Sequence, residues 1–256
     1  MSDLFSIEGK AALVTGGSRG IGLMIATGFV EAGARVYVSS RKKDVCDEVA
    51  AELSKIGTCV SLPANLTTEE ACNNLAAEVA AHEPALHILV NNAGATWGAP
   101  LAEFPADAWD KVLDLNVKAP FFLTRALLPQ LEAAGTADDP ARVINIGSID
   151  GIQVPMLETY SYSSSKAAIH QLTRHLARNL GRKNITVNAI APGPFESKMM
   201  AATLRDFGAD IARSSPLNRI GRPDDMAGAA IFLASRAGAY VTGAVLPVDG
   251  GIATTK

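Results

Sequence analysis

Tyr162-Ser163-Ser164-Ser165-Lys166, with Ser148 fourteen residues upstream, is the part of the chain whose residue types and spacing imply a reaction. On a helix each residue turns about 100°, so positions i and i+4 share a face one turn apart. A phenol with a pKa of ~10 handles protons poorly at neutral pH. An ammonium one turn away favours the phenolate and draws that pKa toward the working range. Tyr162 could then trade a proton with an alcohol or ketone oxygen while Ser148 holds that oxygen in place. An ordinary exposed helix would show the same pair, so context must decide. Tyr160 is an internal contrast: four residues on from it stands Ser164, with no cation.

Groups like these need a frame, and the order of elements predicts one. Short, mostly apolar runs at 11–15, 35–39, 59–63, 87–91, 142–147, 185–191 and 244–248 read as strands. Such runs suit parallel strands covered on both faces. Helical patterns lie between them, near 20–32, 43–56, 68–82, 107–133, 160–181 and 224–235, several behind plausible caps such as Thr67/Thr68 and Pro223-Asp224-Asp225. The alternation predicts an α/β fold, a Rossmann-type doubly wound parallel sheet of about seven strands with helices on both faces, as a single domain over 1–256. The expected irregular pieces are 95–106, 134–141, 149–159 and 193–222. Ligands of such a sheet bind beyond the carboxyl ends of its strands. Ser148 falls just past one strand and 193–222 just past another, which makes that segment the expected substrate-side loop.

Directly after the first strand comes Thr15-Gly16-Gly17-Ser18-Arg19-Gly20-Ile21-Gly22, opening a helix. Glycines permit the tight turn and let backbone N–H groups approach a pyrophosphate resting on the positive helix end. In this strand–turn–helix position a dinucleotide is the expected ligand. The second strand ends at Ser39-Ser40-Arg41, where an NAD site would carry Asp or Glu against the ribose hydroxyls. Arg41, with Arg19, could instead clamp a 2′-phosphate, so NADP(H) is expected over NAD(H).

Together these pieces resemble the short-chain dehydrogenase/reductase family in its single-domain form. The markers in order are Thr15-Gly-x-x-x-Gly-x-Gly22, Asn65-Leu66, Asn91-Asn92-Ala93-Gly94, Asn116-Val117, Ser148, Tyr162-x-x-x-Lys166 and Pro192-Gly193. The resemblance implies that Tyr162 is the general acid in reduction and the base in oxidation. Lys166 would lower its pKa and bond the nicotinamide ribose, Ser148 would bind the substrate oxygen, and Asn116 would anchor a proton-carrying water. Asn65 and Leu66 would flank the adenine, Asn91 to Gly94 would pass the adenosine ribose, and Pro192 to Phe195 would line the nicotinamide end. It also implies a homo-oligomer, tetramer or dimer, built on 107–133 and 160–181, with Leu115, Phe121, Phe122, Leu172 and Leu176 as candidate contacts.

Within that family the general look is of 3-oxoacyl reductases, including the rhamnolipid-synthesis type. A small carbonyl or alcohol substrate is expected, an acyl thioester among the candidates. Carrier-protein substrates call for basic residues at the entrance. Arg182-Lys183 could serve, but the neutral-to-acidic segment 130–139 argues against an anionic carrier. Phe195, Met199, Met200, Leu204 and Phe207 suit an acyl chain, or equally the apolar side of an amphipathic helix. Two other readings stay open: an NAD(P)-linked alcohol, steroid or sugar dehydrogenase running oxidatively, and a non-catalytic nucleotide-sensing protein.

Composition narrows the field further. A net charge of −3 gives no reason to expect nucleic acid or an anionic membrane. Three cysteines without a Cys-x-x-Cys pair, no signal-like N-terminus and no long apolar run suit a cytoplasmic protein. His82, His87, His170 and His175 show no ligand spacing, and no metal is expected.

Overall fold

The computed structural model describes residues 2–197 and 200–255. Seven strands form one sheet, all pairs parallel: β1 (Ala11–Thr15), β2 (Arg35–Ser39), β3 (Cys59–Ser61), β4 (Ile88–Asn91), β5 (Ala141–Ile146), β6 (Ile185–Pro192) and β7 (Val245–Val248). Their order, β3-β2-β1-β4-β5-β6-β7, reverses direction between β1 and β4. The crevice over that switch point is where a doubly wound sheet takes its ligand. β3 is shorter than expected because Pro63 has no N–H for the ladder, although Leu62 N and Ala64 N still reach Val38 O and Ser40 O.

Alternation along each strand splits the core in two. Ala12, Val14, Val36, Val38, Val90 and Ile144 face α1 (Gly20–Glu31), α2 (Lys43–Leu53) and α9 (Pro223–Ala234). Ala11, Leu13, Tyr37, Leu89, Val143 and Val187 face α3 (Glu69–His82), α5 (Ala119–Ala126), α6 (Leu128–Ala134) and α7 (Tyr160–Leu180). Thr68 caps α3, its side chain accepting from Ala71 N at 3.2 Å. At α9 the backbone N–H of Arg222 donates to Asp225 Oδ2 at 2.8 Å.

Two helical expectations need correction. The run at 107–133 is not one helix but α4 (Ala106–Leu113), a π-helical turn over Asp114–Lys118, then α5 and α6. Pro120 has no N–H for the carbonyl of Asn116, and Pro129 none for that of Arg125, so each breaks the ladder where it stands. The segment 193–222, expected as irregular, contains α8 (Ala201–Ser214). Phe207 on it remains 58% exposed, so that side does not pack on the sheet.

At the amino edge of the sheet, opposite the switch-point crevice, lies a buried charge. Arg142, 1% exposed, donates from Nε to Leu233 O (3.1 Å) and from Nη2 to Ser235 O and Asp139 Oδ1 (both 2.9 Å). Lys10 Nζ joins Asp139 from the other side at 2.8 Å. Arg142 Nη1 has no partner among the described residues.

Candidate active site

The carboxyl ends of β1 and β4 carry the glycine turn and the Asn92 strand end. Gly16 and Gly20 take left-handed φ of 63° and 51°, which permits the reversal into α1. A Cβ at Gly22 would overlap both the Asn92 side chain and the Gly16 carbonyl. Asn92 holds the turn in shape, its Nδ2 donating to Thr15 O (2.9 Å) and Gly16 O (3.1 Å). Thr15 Oγ1 accepts from Asn92 N and Ala93 N at 2.9 and 3.0 Å. No side chain caps α1 at Arg19. The turn therefore presents a narrow, Cβ-free cradle at a positive helix end, and these residues fit the diphosphate of a dinucleotide.

Around that cradle, Arg19 and Arg41 are exposed and make no ion pair with other described residues. Ser40 is half-buried beside Arg41, Asn65 is exposed, and Leu66 is buried. Asn91 is turned away from solvent, donating to Thr124 Oγ1 (3.2 Å) and Asn145 Oδ1 (2.9 Å). Pro192 and Gly193 end β6, with Gly193 N bonded to Val248 O at 3.0 Å. Phe195 is 2% exposed, its ring seated where a Cβ on Gly221 would fall, so it props the loop from within. Met199 lies outside the described residues, as does the side chain of Leu204.

Ser148, Tyr162, Lys166 and Asn116 come together where β5 meets α7. Ser148 leaves β5 into a 3-10 turn at Ile149–Gly151, and its Oγ accepts from Asp150 N at 3.1 Å. Accepting there leaves the hydroxyl proton free to point elsewhere. Lys166 Nζ donates to Ile146 O at 2.7 Å and lies 5.5 Å from the Tyr162 ring centroid. Asn116 sits in the π-helical turn with its amide fully used: Oδ1 accepts from Ala95 N (2.8 Å), and Nδ2 donates to Ala95 O and Ser165 Oγ (both 2.9 Å). Ser165 in turn donates to Tyr162 O at 2.7 Å, which ties that turn to α7.

The electrostatics differ from the sequence expectation. Burial pushes the Tyr162 phenol up to about 12, against a Ser148 hydrogen bond that pulls it down; the charge of Asp150 adds to the rise. Burial pushes Lys166 down to about 8, with Asp150 opposing. Desolvation, not the lysine one turn away, dominates the phenol, because Lys166 is buried with Nζ turned to a main-chain carbonyl.

Two neighbours escaped the sequence reading. Asp150 follows Ser148 by two residues, and that closeness was the available signal. His170 continues the Tyr162–Lys166 face by one more turn and packs so tightly under Gly147 that a Cβ there would collide with its imidazole. His170 is 4% exposed with Nε2 unpartnered, and burial followed by the charges of Lys166 and Arg174 drives its pKa down to about 4. Above the unfolded value of 6.5 both states are neutral and stability is complete. Below it the unfolded chain takes a proton that the folded protein refuses, so stability falls as pH drops toward 4. The expected loss is about 3 kcal/mol by pH 4. Melting midpoints between pH 7.5 and 4.5 should fall more steeply for the wild type than for His170→Gln; parallel curves would exclude His170 as the source.

Sequence and structural relatives agree with this arrangement. Residues 16–253 match the family model described as Enoyl-(Acyl carrier protein) reductase. The rhamnolipids biosynthesis 3-oxoacyl-[acyl-carrier-protein] reductase of Pseudomonas aeruginosa is 49% identical over 98% of this chain and 99% of its own length. The chain belongs to the short-chain dehydrogenase/reductase family. It is thereby an oxidoreductase, and its sheet superposes accordingly. The P. aeruginosa RhlG/NADP active-site complex matches with a TM-score of 0.95 at 47% identity, covering 99% of this chain and all of that one. A gluconate 5-dehydrogenase from Burkholderia cenocepacia, in complex with NADP and tartrate, matches at 0.92 and 31% identity over 100% and 99% of the two chains. Among the described residues no helix is long and apolar enough to cross a membrane, and no three His, Cys, Asp or Glu converge as a metal site would require.

Proposed function

We propose that this protein is an NADPH-dependent reductase of 3-oxoacyl thioesters, with Tyr162 as the proton donor. The observation that carries the reading is the gathering of Ser148, Tyr162, Lys166 and Asn116 at the carboxyl rim of the sheet, with Lys166 Nζ 5.5 Å from the Tyr162 ring centroid and Asn116 tied to α7 through Ser165. A protonated phenol beside a serine hydroxyl is the pair that a carbonyl oxygen needs as it gains a hydride, one group to donate the proton and one to hold the oxygen. The likeness to a 3-oxoacyl reductase and to an NADP complex supports the substrate class and the cofactor.

The chemistry such a cofactor supplies when bound is hydride delivery to the carbonyl carbon. The rest falls to the chain. Backbone N–H groups of Gly16, Ser18, Gly20, Ile21 and Gly22 receive the diphosphate, while Gly17 shapes the turn, its own N–H donating to Ser39 O at 3.2 Å. Arg19 and Arg41, with Ser40, take the 2′-phosphate; Asn65, Leu66, Ala93 and Gly94 border the adenosine half. Asn92 acts through the turn it braces. Pro192 and Gly193 wall the nicotinamide end, with Phe195 beneath. Ser148 donates to the substrate oxygen, Tyr162 protonates it, and Lys166 holds the ribose. Since the Asn116 amide is saturated, its main-chain carbonyl, which Pro120 leaves without the i+4 donor, is the acceptor open to a proton relay.

The segment 193–222, with α8, would flank the substrate in one domain spanning 1–256. A cytoplasmic setting and self-association through α5 and α7 belong to the same reading. Phe121 is 39% exposed on that face, whereas Leu115 is buried in the core. Lys183 is paired with Glu132 rather than free for an anionic carrier. That pairing favours thioesters in general over strict carrier dependence.

The test is NADPH oxidation with 3-oxoacyl thioesters of graded chain length, on coenzyme A and on carrier protein, beside 5-ketogluconate and steroid ketones. Turnover of sugars or steroids alone would overturn the substrate class. Arg41→Ala should weaken NADPH binding about 10- to 100-fold by loss of a charge-assisted phosphate contact, with NADH unchanged. Equal losses for both cofactors, read by fluorescence titration, would remove the phosphate clamp.

A further inference from the structure

One acidic side chain stands inside this cluster with nothing in the reaction assigned to it. Asp150 is tied on one side to Ser148, through its own N–H to Oγ (3.1 Å) and through Gly151 N to Ser148 O (3.0 Å). On the other side its turn lies flat on α7, so close that a Cβ at Gly151 would collide with the main chain of Lys166. Asp150 is half-buried, and its one hydrogen bond among the described residues runs through the backbone, leaving the carboxylate unpaired. The backbone of Asp150 is thus fixed between the serine and the lysine helix, and a half-buried carboxylate carried on it acts on whatever protons those elements hold.

We propose that Asp150, held by its turn between Ser148 and the lysine helix, is a positioning residue that acts through Tyr162 and Lys166 and extends ketone reduction to more alkaline pH. The inference rests on the reductase reading above for its role in turnover, but not for the charge interaction itself. Asp150 raises the proton affinity of both Tyr162 and Lys166. In return, Lys166 lowers that of Asp150 against a larger rise from burial. Because Asp150 acts on each of the two groups, removing the anion lowers the midpoint of each. The remaining charges are accounted for. On α7, His170 feels Lys166 and Arg174. Asp107, Asp110 and Lys111 on α4 are exposed, and Asp114 is paired with Lys118 at 3.2 Å. The π-helical turn offers the site only the neutral Asn116.

Lysine side-chain NMR on the whole protein tests this without any substrate. Burial places the expected Lys166 titration near pH 8, well below an ordinary lysine, and Lys166→Met identifies its signal. Asp150→Asn and Asp150→Ala should each move that titration down by roughly one pH unit, whereas Asp150→Glu should leave it near the wild type. The alkaline limb of kcat/KM for ketone reduction should move down with it. If Lys166 titrates alike in wild type and both neutral variants, the proposal is overturned. Lower rates with an unmoved pH profile would also overturn it, marking a structural loop residue. A shifted titration in a protein that reduces no 3-oxoacyl thioester would uphold Asp150 and reject the substrate reading instead.

Discussion

Tyr162→Phe should lower kcat for ketone reduction by about 10³-fold while NADPH affinity stays within about twofold, since one positioned proton donor contributes ~10²–10⁴ in rate. The ring is half-buried, so phenylalanine keeps its packing and removes only the hydroxyl. Ser148 keeps its bond from Asp150 N, so its rotamer is retained. The loss should fall on kcat with little change in KM, because the proton is needed at the transition state. Single-turnover kinetics beside a cofactor titration separate the two. A variant that kept a tenth of the rate would strip Tyr162 of its role. One that lost NADPH binding as well would show damage to the site, not removal of an acid.

The second large effect concerns folding rather than turnover. Asp139→Ala should cost about 3 kcal/mol, because it strands a buried cation. Arg142 is 1% exposed, already has one unpartnered nitrogen, and would keep only the carbonyls of Leu233 and Ser235. Lys10 would lose its ion pair at the same stroke. For a chain of this length the melting midpoint should drop by roughly 6–12 °C. The turnover of the surviving folded protein should not change, since this network sits at the sheet edge away from Tyr162. Adding Arg142→Met should recover much of the loss by replacing the stranded charge with apolar volume. A double variant no more stable than Asp139→Ala would show that packing, not the orphaned charge, sets the cost.

What the sequence made legible divides along physical lines. All seven strands and the glycine turn were readable because two-face burial and backbone reversal leave local marks: unbroken β-branched runs and glycines at fixed offsets. Pro120 and Pro129 were equally visible, yet the apolar pattern across 107–133 masked the breaks they impose. Helix α8 was offered by the sequence only as one of two equal readings of Phe195, Met199, Met200, Leu204 and Phe207, because apolar spacing alone does not separate a helix face from a substrate wall. The proton affinities of Tyr162 and Lys166 were out of reach for a different cause. Spacing reports which groups share a face, but desolvation depends on what the whole fold stacks over them. Asp150 and His170 gain their importance in the same way, from the enclosure of α7 against the Ser148 turn. Asn92 was expected along the adenosine ribose; that its side chain also braces the turn opposite was not readable from its position.

That brace makes the cradle a non-local object. Asn92 reaches Gly16 across 76 positions of sequence, and β1 cannot sit beside β4 until the two strands and helices between them have been laid aside. The glycine motif by itself, in a nascent or truncated chain, is therefore a turn without a grip. Loops this long close late and slowly in folding. Competence to hold a dinucleotide thus arrives with the finished sheet, and the bound ligand in turn draws the folding equilibrium of the entire chain toward completion.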